Sequence, residues 1–126
     1  MQLFIKRYKQ DNDINTKYEV IAELFSSRIG KLLDMPILEL KPTEEGIAMK
    51  MLKRREERGI RNLEKIKRAL PFEEWLLNID LKEEHVMIDE EDNAYIIDHG
   101  HTLSAWKPLY YVVEIVNKPV TRFKLW

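Results

Sequence analysis

The sequence predicts an α+β fold, a small antiparallel sheet with helices and a separate β-hairpin, and three observations lead there. Apolar residues between Thr16 and Leu33 recur at three- and four-residue steps, as an amphipathic helix requires. Short apolar runs at residues 37–40 and 47–51, and again at 85–88 and 94–97, are each split by a turn-forming cluster, which reads as two hairpins. With 126 residues, 44% of them hydrophobic and 34% charged, the chain can bury one core and is too short for two ordinary domains.

Taken in order, residues 3–9 mix apolar and basic side chains over a strand's length, and Gln10, Asp11, Asn12 and Asp13 supply the exit. The helix that follows carries Tyr18, Ile21, Leu24, Phe25, Ile29, Leu32 and Leu33 as its apolar stripe. Thr16 and Glu19 have the spacing of a capping box at its start. Pro36 ends that region, and residues 37–40 and 47–51 form strand, turn and strand. Leu52, Ile60, Leu63, Ile66 and Leu70 mark a helix over 52–70 interrupted near Gly59, and a second short helix over 72–77 starts after Pro71. The second hairpin turns on Asp89, Glu90, Glu91, Asp92 and Asn93. The tail, 103–126, admits a helix, strands or a docked extension; its aromatics, Trp106, Tyr110, Tyr111, Phe123 and Trp126, either cover the rest of the fold or mark a surface for self-association or a partner. No repeat, low-complexity stretch or linker divides the chain, so 1–126 reads as one domain.

Charge and composition exclude several classes. Twenty-one basic against 22 acidic side chains leave a net charge of -1, which gives no global reason to bind nucleic acid or an anionic membrane. The basic run from Lys53 to Arg68 is interleaved with Glu56, Glu57 and Glu64 at helical spacings, the pattern of a solvated, salt-bridged face. The absence of cysteine removes disulfides, thiolate metal sites and a Cys nucleophile. No stretch approaches the roughly 20 apolar residues of a membrane span, and a cytoplasmic protein is expected.

The chemistry concentrates around the second hairpin. Asp80 precedes it and Asp98 follows it, so folding the ribbon back brings Asp80, His85 and Asp98 towards one mouth. Phosphoryl transfer needs one carboxylate to orient the attacking hydroxyl and others to hold the magnesium that bridges ATP phosphates. Magnesium favours oxygen, which makes Asp98 the stronger ligand candidate and His85 the weaker. Plainer uses compete: capping or turn carboxylates for Asp80 and Asp98, a packed or surface histidine for His85, and turn hydrogen bonds for His99 and His101.

Phe72, Trp75, Asn78 and Asp80, followed by Ile97, Asp98, His99 and Gly100, resemble two motifs of the HipA-like kinases in the order that family carries them. The resemblance implies a partial protein-kinase-like core, with 1–51 as a small-lobe-like part and 52–126 as a large-lobe-like part. It implies ATP with Mg2+ or Mn2+ as cofactors and phosphoryl transfer to a protein Ser or Thr hydroxyl. By the same resemblance Asp80 is the catalytic-loop aspartate, Asn78 its companion, Asp98 a metal ligand, and His85 stands where the family has a metal-binding asparagine. More loosely, Lys6 matches the ATP-pairing lysine and Glu19 its partner, with Lys9 or Glu23 open as alternatives, and Met49 and Met51 lead to the adenine hinge. Phe72 and Trp75 are expected in the core, anchoring the loop. The chain departs from the pattern at Leu81, where a basic residue is usual, at His85, and in having only 4 glycines with none near its start. About half of the family's fold is expected to be missing. These departures favour a second reading, an inactive kinase-like module that binds a partner or assembles with copies of itself.

Overall fold

The structure, a computed structural model, describes residues 2–10, 14–54, 60–78, 81 and 83–103. Among them the chain forms two helices and two antiparallel three-stranded sheets, a small α+β fold. No helix among the described residues is long and apolar enough to cross a membrane.

In the first sheet, β1 (Leu3–Arg7) and β2 (Lys41–Pro42) flank β3 (Gly46–Lys50). Phe4 stands opposite Met49 and Lys6 opposite Ile47, and the period-two alternation of a strand puts these four side chains on one face. Gly46 pairs with Arg7 so closely that a Cβ there would lie 2.1 Å from the Lys6 carbonyl oxygen, which excludes any other residue without a shift of backbone. The expected strand at 37–40 is absent apart from one parallel bridge, Ile37 to Ile96. Its backbone bonds elsewhere: Ser27 Oγ donates to the Leu38 carbonyl at 2.7 Å and accepts the Leu40 N–H at 3.0 Å.

Helix α1 (Ile14–Leu32) forms where the periodicity predicts it, and Ile29 of the predicted stripe packs against the Ile37, Phe72 and Leu76 cluster, but much of that stripe stays exposed. Ala22, Glu23, Ser26, Ser27 and Gly30 are buried, whereas Ile21 is 58% exposed and Leu32 80%. Small side chains let the helix approach closely, to the point that a Cβ on Gly30 would meet Ile37 at 3.0 Å. Thr16 lies inside the first turn, so its pairing with Glu19 is not a terminal cap. The helix ends in a Schellman arrangement: Met35 N–H bonds the Gly30 carbonyl, Asp34 N–H bonds that of Lys31, and Asp34 takes the left-handed conformation at φ 54°.

The second sheet orders β4 (Lys53–Arg54), β5 (Val86–Ile88) and β6 (Ala94–Ile96). The 85–97 hairpin therefore forms as predicted, with Val86 opposite Ile96 and Ile88 opposite Ala94. Residues 53–54 are strand rather than helix, because their backbone completes the β5 edge. Helix α2 (Leu63–Trp75) runs through Pro71 instead of restarting there; Leu76 N–H still reaches the Phe72 carbonyl at 3.0 Å, and Ile66, Ala69, Phe72 and Leu76 keep one stripe buried. The break expected near Gly59 lies outside the described residues. At the helix start, the Asn62 side chain accepts the Ala94 N–H at 2.7 Å and donates to the Ala94 carbonyl, tying α2 to the hairpin. Ile66, Leu81, Val86, Ile88 and Ile96 make up the core between them, each contributing about 1.5–3 kcal/mol by leaving water. Phe72 is buried as expected, but Trp75 is not: it stacks over Phe72 from outside, 63% exposed.

Candidate functional site

The cleft face of the first sheet and the exit of β6 meet in two adjoining hollows of about 270 Å³ each. Both contain Lys6, Glu23 and Asp98. One extends towards Lys9, Glu19 and His101 and mixes charged side chains with apolar surface; the other extends over Phe4, Leu38, Met49 and Ile97 and is mostly apolar. A further apolar hollow continues along Met49, Met51 and Leu52. Charge at one end and apolar walls at the other make an amphipathic groove.

Lys6 and Glu23 form the tightest ion pair of the groove, Nζ to Oε1 at 2.7 Å. Glu19 instead faces Lys9 at 3.4 Å, so the expected Lys6–Glu19 pair is replaced by two pairs, Lys6–Glu23 and Lys9–Glu19. The helix sets this choice. Glu23 lies one turn beyond Glu19, on the buried face of α1, where only 7% of its side chain is exposed. Burial alone would lower the Lys6 pKa, but the Glu23 carboxylate, its hydrogen bond, and the charges of Asp98 and Glu19 together raise it above the ordinary 10.5.

Asp98 and His85 meet as expected for two groups at one mouth: Asp98 Oδ2 is 3.4 Å from His85 Nε2. The ladder explains it, since Ile97 N–H bonds the His85 carbonyl at 2.8 Å, one step beyond the last β5–β6 pair. Among the described residues His85 Nδ1, which is buried, finds no hydrogen-bond partner, while the Asp98 side chain is 40% exposed. Asp98 adopts φ 66°, a left-handed conformation that Asp tolerates better than most residues. Among the described residues no three His, Cys, Asp or Glu side chains gather as a ready metal cage. Asp98 offers carboxylate oxygen, the donor type that a hard divalent ion takes.

Asn78 is buried and turned inward, its Nδ2 donating to Glu73 Oε2 at 2.8 Å and its N–H to the Glu73 carbonyl at 3.0 Å. Met49 lines both apolar hollows, and Met51 lines only the further one. Asp80 lies outside the described residues, as does the 104–126 tail with its aromatics.

Two acidic residues of the site stand out less in the sequence: Glu23 is there only an alternative to Glu19, and Glu73 has no expected role. Glu73 lies at the 66–69–73–76 spacing of the α2 buried stripe, a polar residue in an apolar series, and that misfit was visible in the sequence. Comparison of the chain with protein-family models, with curated proteins and with solved structures finds no match.

Proposed function

We propose that the groove binds ATP with a divalent cation and serves phosphoryl transfer to a protein Ser or Thr hydroxyl, the chemistry of the HipA-like kinases that the sequence resembles. The observation that carries this reading is the Lys6–Glu23 pair beside Asp98, where a hollow carrying charged side chains adjoins an apolar one. A nucleoside triphosphate has the same division, an apolar planar base joined to a charged chain.

In this reading Phe4, Met49 and Met51 take the base, and Lys6 neutralises phosphate charge while Glu23 restrains its ammonium. Asp98 holds Mg2+ or Mn2+, whose charge offsets that of the phosphates. His85 steadies the Asp98 carboxylate, Asn78 braces the loop ahead of Asp80, and Asp80 orients the acceptor hydroxyl. The test is ADP release and protein-bound phosphate, measured by mass spectrometry after incubation with ATP and Mg2+. Turnover in the wild type that is lost in Asp98→Ala supports the assignment; equal turnover in both, or none in either, removes the transferase reading.

A second reading has its own support. Ile21, Phe25 and Leu32 are exposed on α1, and His85 stands against Asp98 where an oxygen ligand would suit magnesium better. A kinase-like module that binds a partner or another copy of itself without chemistry fits these features. Light scattering together with the turnover assay separates the two, since an oligomer inert to nucleotide supports this reading and a monomer that turns over ATP contradicts it.

A further inference from the structure

We propose that Glu73 is a positioning residue, whose buried carboxylate acts through His99 and Asn78 to hold the turn that carries Asp98. Glu73 is 1% exposed in the middle of the apolar stripe of α2. Its Oε1 lies 2.6 Å from His99 Nε2, and its Oε2 accepts Asn78 Nδ2 at 2.8 Å. The two atoms share one hydrogen bond, in which an ionised carboxylate accepts from a His99 ring that carries its proton on Nε2. A buried charge is a poor way to stabilise a helix face that an apolar side chain would pack equally well, and its partners indicate what it organises instead.

His99 directly follows Asp98, and the backbone around it is pinned on both sides. Before Asp98, Ile97 N–H bonds the His85 carbonyl. After it, the His99 carbonyl accepts both the Thr102 N–H at 3.2 Å and Thr102 Oγ1 at 2.9 Å, and Thr102 Oγ1 also meets Ser26 Oγ of α1 at 3.1 Å. Leu103 N–H then closes onto the Leu76 carbonyl at 2.7 Å. Between these anchors Asp98 keeps its left-handed backbone, which a non-glycine residue retains only where its surroundings over-determine it. The other end of the carboxylate serves a second strained point: Leu77 has φ 56° immediately before Asn78. One carboxylate thus braces both the segment that leads towards Asp80 and the one that presents Asp98.

Native-state hydrogen exchange tests this without any ligand. In Glu73→Gln the Ile97, Thr102 and Leu103 amides are expected to exchange about tenfold faster or more, the size of one lost charge-assisted hydrogen bond, while those of Met35 and Asp89 hold their wild-type rates. An equal rise at all five amides, or none at any, overturns the proposal. If Glu73→Gln gives no cooperative melt, His99→Leu and His99→Gln read the same link. Loosening in the leucine variant with recovery in the glutamine variant, which restores a donor, supports it; identical behaviour of the two contradicts it. A second arm rests on the nucleotide reading. Glu73→Gln should lose the gain in ATP affinity that Mg2+ confers and bind adenosine as the wild type does, whereas equal loss for both probes overturns a role at Asp98. A wild type that binds no ATP would remove the nucleotide reading alone and leave the exchange result to decide the part played by Glu73.

Discussion

Lys6 of β1 and Glu23 of α1 are joined at 2.7 Å across 17 residues of sequence, and this pair fixes the helix against the sheet at the mouth of the groove. The lysine is the more exposed partner, at 46% against 7%, so the two ends of the bond are unequal. Lys6→Met strands a buried carboxylate and should cost about 1–3 kcal/mol, towards the lower end because solvent screens the ammonium. Glu23→Gln keeps an acceptor and should cost less. Urea unfolding of the two variants checks the order; a costlier Glu23→Gln would mean that the pair is not what holds Glu23.

A second ion pair adds a pH dependence at both ends of the range. Asp89 is buried against solvent, which would raise its pKa, but the Lys50 ammonium at 3.0 Å and the N–H groups of Glu91 and Asn93 more than offset that and hold it below the ordinary 3.8. The Asp89 contribution is therefore complete above pH 3.8 and is lost as pH falls through the depressed folded value. Lys50 moves the opposite way: its hydrogen bond to Asp89 outweighs desolvation and raises it above 10.5, so its contribution is complete below pH 10.5 and disappears as pH rises through the folded value. Asp89→Asn should flatten the acid limb of a stability curve and cost about 1–3 kcal/mol at neutral pH. Thermal melts across the acid range measure both effects.

Gly46 is predicted to tolerate no side chain. Gly46→Ala sets its Cβ against the Lys6 carbonyl, a backbone atom that moves only if β1 parts from β3. The expected cost is about 2 kcal/mol or more, with weaker nucleotide binding because Lys6 moves with its strand. Urea unfolding and a nucleotide titration of the same variant report the two effects.

The orientation of α1 is testable by contrast. Ile21→Ser and Leu32→Ser, on the exposed face, should change stability by no more than about 0.5 kcal/mol. Ser26→Val, at a fully buried position bonded to Thr102, should cost about 1–3 kcal/mol through crowding and the lost hydroxyl. The reverse ranking in thermal denaturation would put the apolar stripe inside.

These contrasts also mark what the sequence could and could not carry. The 85–97 hairpin was legible because its apolar runs are short and bracket five turn-forming residues, and β1 because its length and flanking turn suit a strand. The existence of α1 was legible, but its buried face was not. Periodicity weighs large apolar side chains, whereas this helix packs through Ala22, Ser26, Ser27 and Gly30, whose smallness permits close approach and whose hydroxyls bond Leu38, Leu40 and Thr102. Pro71 suggested a helix start, yet buried Phe72 and Leu76 carry the helix past it. Within the site, the approach of His85 to Asp98 followed from the hairpin. The choice of Glu23 over Glu19 depended on which face of α1 turns inward, information that only the packing supplies.

In the proposed function Lys6, Glu23 and Asp98 form the phosphate and cation end of a nucleotide groove. Calorimetric titration of ATP with and without Mg2+, in the wild type and in Asp98→Ala, tests it most directly. The expected outcome is ATP binding by the wild type that Mg2+ strengthens, and an Asp98→Ala variant in which that strengthening is gone while adenosine still binds. A wild type without measurable heat, or an Asp98→Ala variant with an unchanged response to Mg2+, would contradict it.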